Sequence, residues 1–109
     1  MNLIELAEDI RGLPLVRVQF AKAQTHAVLY LSDYERVLTA IGNASWFLNS
    51  SGNGHHYVRA KDPATNLNVM IARVVLGIES GAVRYQDGDS LNLRRENLIR
   101  PTRPHRSRP

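Results

Sequence analysis

The amino-acid sequence predicts a single small α+β domain, residues 1–100, followed by a basic arm, residues 101–109. Of the 109 residues, 43% are hydrophobic and 22% are charged, a balance typical of one globular core. Segments with the alternation of half-buried strands are interspersed with segments of helical spacing. Three prolines in the last nine residues exclude a helix there and favour an extended arm.

The first element is predicted to be a helix within residues 1–13. Apolar residues recur near helical spacing from Asn2 to Ile10, and Gly12 and Pro14 end the pattern. The apolar face of this helix would either pack on the body of the domain or pair with a second copy. A homodimer is therefore open at this stage.

The next elements are predicted to be two neighbouring antiparallel strands and a helix. LVRVQF, at 15–20, and THAVLYL, at 25–31, are rich in β-branched and aromatic residues. Ser32 and Glu35 then stand at the spacing of a capping box, in which each side chain satisfies a free main-chain N–H of the first turn. This predicts a capped helix around residues 32–42.

The second half of the domain is predicted to be mostly strand. SSGNG indicates a turn between two short strands. Residues 67–78 form an apolar run that is too long for one strand, so we expect a strand through about Met70 or Ile71 and then a short helix that carries Arg73 to Leu76. AVRY is predicted to be a strand, and ENLIR an extended segment.

The excess positive charge lies at the C-terminal end. The formal net charge is +4, but residues 94–109 hold six arginines and one glutamate, +5, so residues 1–93 carry 8 basic and 9 acidic side chains, −1. An arginine-rich arm on a near-neutral body favours a polyanion partner, because neutralised phosphates release counterions. The alternative is a solvated tail that raises solubility.

Cysteine usage and hydropathy limit the location of the chain. There are no cysteines, which excludes disulfides, thiolate metal sites and cysteine nucleophiles. The N-terminal residues do not have the pattern of a signal peptide, and no apolar run approaches the roughly 18 residues of a spanning helix. We expect a cytoplasmic protein without a membrane partner, either bacterial and nucleoid-associated or phage-encoded.

Three consecutive pieces of the sequence carry a resemblance to a known family. MIARVVLG, VRYQDGDS and LNLRRENLI follow one another as Leu-His-Arg, Val-Asp-His with an Asp-Gly-Asp turn, and Asn-Arg-Arg-x-Asn-Leu-Arg do in the HNH endonucleases of phages and introns. Upstream, LSDYERV, ASWFLN and HYVRA look like the helix and the two strands that often precede this core. The resemblance covers roughly residues 27–100 and implies an HNH-like ββ(α) core.

The sequence departs from this family at the residues that would perform the chemistry. The resemblance implies a metal-binding carboxylate and a histidine base where this chain has Arg84 and Tyr85. Ala72 replaces another family histidine, next to a retained Arg73, and the proline-rich arm stands where a helix would complete the metal site. An arginine repels a cation, and a tyrosine is a poor base at pH 7. We therefore expect an inactive nuclease scaffold that needs no cofactor and binds no metal.

The structural part of the motif is retained. Gly88 suits a tight turn with positive φ, Asn97 can bond the loop backbone, and Leu91 and Leu98 can anchor the loop in the core.

The leading hypothesis is a non-catalytic protein that binds double-stranded DNA, most simply a small transcriptional regulator of phage or mobile-element type. The side chains expected to contact DNA are those around the altered metal site and along the arm: Arg73, Arg84, Tyr85, Arg94, Arg95, Arg100, Arg103, Arg106 and Arg108.

Two other functions remain open. The chain could be an inhibitor or adaptor that docks on a polymerase, a nuclease or a transcription protein, with its arm on an acidic surface. It could also be a nuclease with a rearranged metal site that uses Asp87, Asp89 or His56. Adjacent strand residues point to opposite faces, so His55 and His56 are not expected to share one metal ion. Trp46 is expected to lie in the core rather than to stack on a base.

Overall fold

The strands form two three-stranded antiparallel sheets and a two-stranded ribbon. In the computed structural model, which describes residues 2–50 and 55–101, the elements follow one another as β1 Ile4–Glu8, β2 Pro14–Gln19, β3 His26–Tyr30, α1 Leu31–Ile41, β4 Trp46–Ser50, β5 His56–Asp62, β6 Leu67–Met70, α2 Ile71–Leu76, β7 Arg84–Tyr85, a 3-10 helix Arg95–Asn97, and β8 Leu98–Ile99. The strand orders are β1-β2-β3, β4-β5-β6 and β7-β8. The predicted α+β class is confirmed.

One hydrophobic core joins the sheets and helices. It is built by inward-facing strand residues and by one face of each helix, including Val16, Val18, Leu29, Val37, Val58, Ile71, Val75 and Leu93. Trp46 is 4% exposed, as expected for a core residue, and its ring lies 5.7 Å from that of Tyr34. Leu93, which the sequence did not single out, is fully buried and anchors the segment after β7, whereas Leu91 is only half-buried.

Several predicted elements are confirmed. The segments at 15–20 and 25–31 form the antiparallel pair β2 and β3. The helix expected around 32–42 is α1, and Gly42, with φ +74°, ends it. The expected change from strand to short helix occurs between Met70 and Ile71.

The predicted N-terminal helix is wrong, because residues Ile4–Glu8 form a strand. Ile4 and Leu6 also fit the period of a strand, and an isolated helix of this length is only marginally stable. Pairing with β2 supplies main-chain partners for alternate residues along the segment. The Asp9 carboxylate then accepts from the N–H groups of Arg11 and Leu13, which closes the hairpin.

The predicted capping box is also not formed. Helix α1 begins at Leu31 directly after β3, its N-cap is Tyr30, and no side chain caps it. Ser32 therefore lies inside the first turn, two residues after the N-cap position.

Two predictions fall outside the described residues, namely most of the SSGNG turn and the arm from residue 102 onwards. In the part of the chain that the structure describes, no helix is long and apolar enough to cross a membrane.

Candidate nucleic-acid interface

An open cleft of about 640 Å³ lies between the β4–β5 hairpin and β7 with the loop that follows it. The floor is apolar and half-buried, and the polar lining comes from two histidines, two tyrosines, an arginine, an aspartate and a serine. The lining residues are Leu48, His55, His56, Tyr57, Val83, Arg84, Tyr85, Gly88, Asp89, Ser90 and Leu91.

The loop between β7 and β8 is held by its own polar side chains. Gly88, with φ +77°, donates to the Tyr85 carbonyl at 2.9 Å and makes the tight turn that the sequence predicts. The buried Asn97 accepts from the Asp87 N–H at 2.9 Å and donates to the Asn92 carbonyl at 2.8 Å. The expectation that Asn97 bonds the loop backbone is therefore confirmed.

The two carboxylates of the loop are both used in this framework. Asp87 accepts from the Asp89 N–H at 2.8 Å and from the Asn92 amide at 2.9 Å, and Asp89 accepts from the Leu91 N–H at 3.0 Å. The Asn92 and backbone hydrogen bonds hold the pKa of Asp87 below its ordinary value, because they favour the charged form. These carboxylates stabilise the turn directly.

Tyr85 lies on the inner side of the ribbon. Burial, and to a smaller degree the neighbouring Tyr57, raises its pKa to about 12, although the nearby Arg73 acts in the opposite direction. Tyr85 is therefore a neutral phenol at physiological pH, which can donate a hydrogen bond but cannot take a proton from water.

Two arginines are close to this tyrosine: Arg84 precedes it in β7, and Arg73 is the nearby cation on α2. Arg84 is exposed, lines the cleft, and forms no ion pair with any described residue. Arg73, on α2, donates from Nε to the Gly81 carbonyl at 2.8 Å, so its main contact is to the segment before β7. Of the two, Arg84 is the cation that the cleft presents to solvent.

Arg94 and Arg95 have partners within the fold and do not line the cleft. Arg95 donates from Nε to both oxygens of the buried Asp33 at 3.0 Å and from Nη2 to the Val75 carbonyl at 2.7 Å. Arg94 contacts Asn92 at 3.0 Å and Glu96 at 3.5 Å. Both were predicted to contact DNA, which stays a prediction; within the fold each of them makes intramolecular contacts.

Arg100 is exposed and begins the basic C-terminal end. It follows β8, whose Ile99 lies directly opposite Arg84 in the ribbon. Arg100 therefore follows the strand that is paired with the strand of Arg84. Its remaining predicted contact residues, Arg103, Arg106 and Arg108, lie outside the described residues.

Two further cations on β5, Arg59 and Lys61, were missed by the sequence reasoning, although neither lines the cleft. Arg59 and Lys61 alternate with buried residues along β5, so they share a sheet face with Tyr57, which lines the cleft. The Arg59 Nε is buried and has no hydrogen-bond partner among the described residues. The alternation of basic and buried residues in HYVRAKD was the available signal.

The described residues contain no group of three or more histidine, cysteine, aspartate or glutamate side chains that could hold a metal ion. His55 and His56 do line the same cleft, because His55 precedes β5 and is not bound by strand alternation.

Comparison of the chain with family models, with curated proteins and with solved structures gave no match. The resemblance to the HNH endonucleases thus stays a prediction, and the function is argued from the site itself.

Proposed function

We propose that this chain is a non-catalytic DNA-binding protein that seats the backbone of a duplex at the cleft beside Arg84. Phosphate contacts supply most of the affinity of such proteins, and arginine is well suited to them because its planar fork pairs with two phosphate oxygens.

The proposal rests on the exposure of Arg84 and on its lack of an acidic partner among the described residues. Its guanidinium is exposed in a cleft and has no acidic partner in the described part of the chain, while the two nearby carboxylates accept loop hydrogen bonds. An arginine that stabilises its own fold has partners, as Arg95 does. An unpartnered arginine in a concave site is available for an anion from outside.

The neighbouring cations extend this surface. Arg59 and Lys61 follow Tyr57, which lines the cleft, along one face of β5. Arg100 and the arm continue from the other strand of the ribbon. The basic side chains would then follow the backbone of a duplex on both sides of Arg84.

The absence of catalysis is proposed from the chemistry of the same residues. A neutral Tyr85 with a pKa of about 12 is a poor general base, and Asp87 is engaged through both oxygens by Asp89 and Asn92. An exposed Arg84 would add positive charge where a hydrolytic metal ion would need negative charge.

A binding role without catalysis suits a small cytoplasmic regulator of transcription, of phage or mobile-element type, on a degenerate HNH scaffold. The arm would add affinity through its arginines. An adaptor that binds a polymerase, a nuclease or a transcription protein is the second function to test.

The test is binding of the full chain to a mixed-sequence duplex over a series of salt concentrations, with plasmid nicking in Mg²⁺, Mn²⁺ and Zn²⁺ measured on the same preparation. The proposal expects affinity to fall as salt rises, with a log–log slope near −0.9 for each phosphate contact, and the plasmid to stay intact. Metal-dependent nicking would contradict the non-catalytic role. No binding at low salt would contradict the DNA role and favour the adaptor.

A further inference from the structure

Strand β1 leaves one edge of the first sheet open. In the order β1-β2-β3, the outer edge of β3 is covered, since Val28 bonds with both Leu91 and Leu93 of the segment before β8. No strand of the described residues covers the outer edge of β1. Open edges present unpaired main-chain groups and usually carry charges or prolines that prevent pairing.

Glu5 and Glu8 place two charges on β1, but its other two exposed side chains, Ile4 and Leu6, are apolar. Ile4 is 47% exposed and Leu6 is 69% exposed, and they lie opposite Val18 and Val16, which are buried. The apolar inner face of the sheet therefore continues onto β1 without cover. Five of the seven large hydrophobic residues exposed in the described chain lie between Leu3 and Leu13, so this surface differs from the rest of the molecule.

This strand is not a loosely held terminus. At its beginning, the Asn2 side chain accepts from the Trp46 N–H at 2.7 Å and donates to the Trp46 and Gln19 carbonyls at 3.0 and 2.9 Å. At its end, Asp9 closes the turn to β2. The fold thus fixes β1 at both ends while it leaves the outer edge open.

The direction of the main-chain groups is set by the pairing with β2. Gln19 donates to the Leu3 carbonyl at 2.8 Å, so Leu3 faces β2. Because hydrogen-bonded pairs alternate in an antiparallel sheet, the N–H and C=O groups of Ile4, Leu6 and Glu8 point to the open edge. They form a regular row of donors and acceptors for another antiparallel strand.

We propose that the occupant of this edge is β1 of a second copy, paired antiparallel about a two-fold axis at Leu6. In this register the two Leu6 side chains lie opposite each other, Ile4 lies opposite Glu8 of the other copy, and Glu5 lies opposite Ala7. The pairs at Leu6 and at Ile4 with Glu8 all use main-chain groups that point outward. The result is a six-stranded sheet across the dimer.

The charges of β1 select this register over its neighbours. An axis at Glu5 would place the two Glu5 carboxylates opposite each other, and an axis at Ala7 would place Glu5 opposite Asp9. Like charges directly opposite each other destabilise a strand pair. Of these three registers, only the one centred on Leu6 keeps acidic residues apart, and it also continues the apolar row from Val16 through Leu6 into the second copy. The edge is self-complementary, which is the requirement for a symmetric dimer.

The first experiment measures the mass of the full chain over a concentration series, without DNA, so that the result does not depend on the proposed function. The proposal expects a dimer, and expects Leu6→Lys to weaken dimerisation roughly tenfold or more, because two cations then meet on the axis. The matched control is Leu67→Lys on β6, which is 65% exposed and should leave the dimer unchanged. A monomer at every concentration, or equal effects of the two variants, would overturn the proposal.

A second experiment tests the register itself and uses the absence of cysteine in the chain. Hydrogen-bonded antiparallel partners have Cα atoms about 5.5 Å apart, within the range of a disulfide. Leu6→Cys should therefore crosslink to itself under mild oxidation, and Leu67→Cys should not. Equal crosslinking of the two variants would indicate random collision and contradict pairing at Leu6.

Discussion

Arg95 donates to both carboxylate oxygens of the buried Asp33 at 3.0 Å, although the two residues lie 62 positions apart in the chain. Arg36 reaches the same carboxylate at 2.9 Å, and both arginines donate to the Val75 carbonyl near the end of α2. This contact joins α1, α2 and the 3-10 helix before β8. Arg95 is close in sequence to Leu91, which lines the cleft, but these contacts make Arg95 part of the framework of the domain.

Replacement of the shared carboxylate should destabilise the domain. Asp33 is 3% exposed, so Asp33→Asn should lower the free energy of unfolding by about 2 kcal/mol through weaker hydrogen bonds to two guanidinium groups. Urea unfolding measures this. Arg84→Ala is the control and should change the free energy of unfolding by less than about 0.5 kcal/mol. If Asp33→Asn left the free energy of unfolding unchanged, the contact would not stabilise the fold.

The Asn97 side chain should be a second point of structural sensitivity. Asn97→Ala removes the acceptor of the Asp87 N–H and the donor to the Asn92 carbonyl, and a loss of about 2 kcal/mol is expected for these buried groups. Thermal and urea unfolding provide the measurement. Asn68→Ala, at an exposed position of β6, should be close to neutral, and an equal loss in both variants would argue against the loop bonds as the cause.

Acid stability should depend on Asp87. The pKa of this carboxyl is lowered in the folded state by hydrogen bonds from Asn92 and from the backbone of Asp89, so its contribution is present above the unfolded pKa near 4. That contribution is lost as the pH falls through the lower folded pKa. Unfolding at pH 7 and at pH 3 should therefore show a smaller difference in stability for Asp87→Asn than for the unchanged chain.

The control for this pH dependence is Glu79→Gln, since Glu79 is exposed and forms no ion pair with the described residues. If Asp87→Asn and Glu79→Gln flattened the pH profile equally, general charge effects would account for it.

Alkaline stability should depend on Tyr85. The pKa of Tyr85 in the folded state is about 12 and exceeds the ordinary value of 10. The stability that the neutral phenol contributes is therefore fully present below pH 10 and is lost as the pH rises through the folded pKa. Between these values the unfolded chain ionises first and unfolding becomes easier. Tyr85→Phe removes this group and should reduce the loss of stability from pH 9 to pH 11. Phenolate absorbance on alkaline titration should lose its latest step in the same variant.

The sequence predicted those elements whose patterns were long or marked by specific residues. Val16 and Val18 alternate with polar residues over a full strand, and Gly42 ends α1 at the expected place. The prediction for the first element was wrong because the residues from Leu3 to Ala7 fit the period of a strand as well as that of a helix. The choice between them is made by pairing with β2, which lies beyond any local pattern.

The candidate site was predictable only in part for a similar reason. Arg84 and Tyr85 stood out by their position in the motif, and both line the cleft. Arg95 was assigned to DNA as a retained residue of the motif, and its partner Asp33 was not anticipated because it lies 62 positions away in the sequence. One signal was present, since Asp33 is four residues before the buried Val37 and therefore on the inward face of α1.

The most direct test of the proposed function compares two single arginine variants in duplex DNA binding. Arg84→Ala removes the unpartnered cation of the cleft, and Arg17→Ala removes a cation that is paired with Glu5 at 3.2 Å on the first sheet. We predict that Arg84→Ala weakens binding and reduces the salt slope by about 0.9, the value of one phosphate contact, while Arg17→Ala retains both affinity and slope. Equal affinities and equal slopes for Arg84→Ala and the unchanged chain would contradict the account.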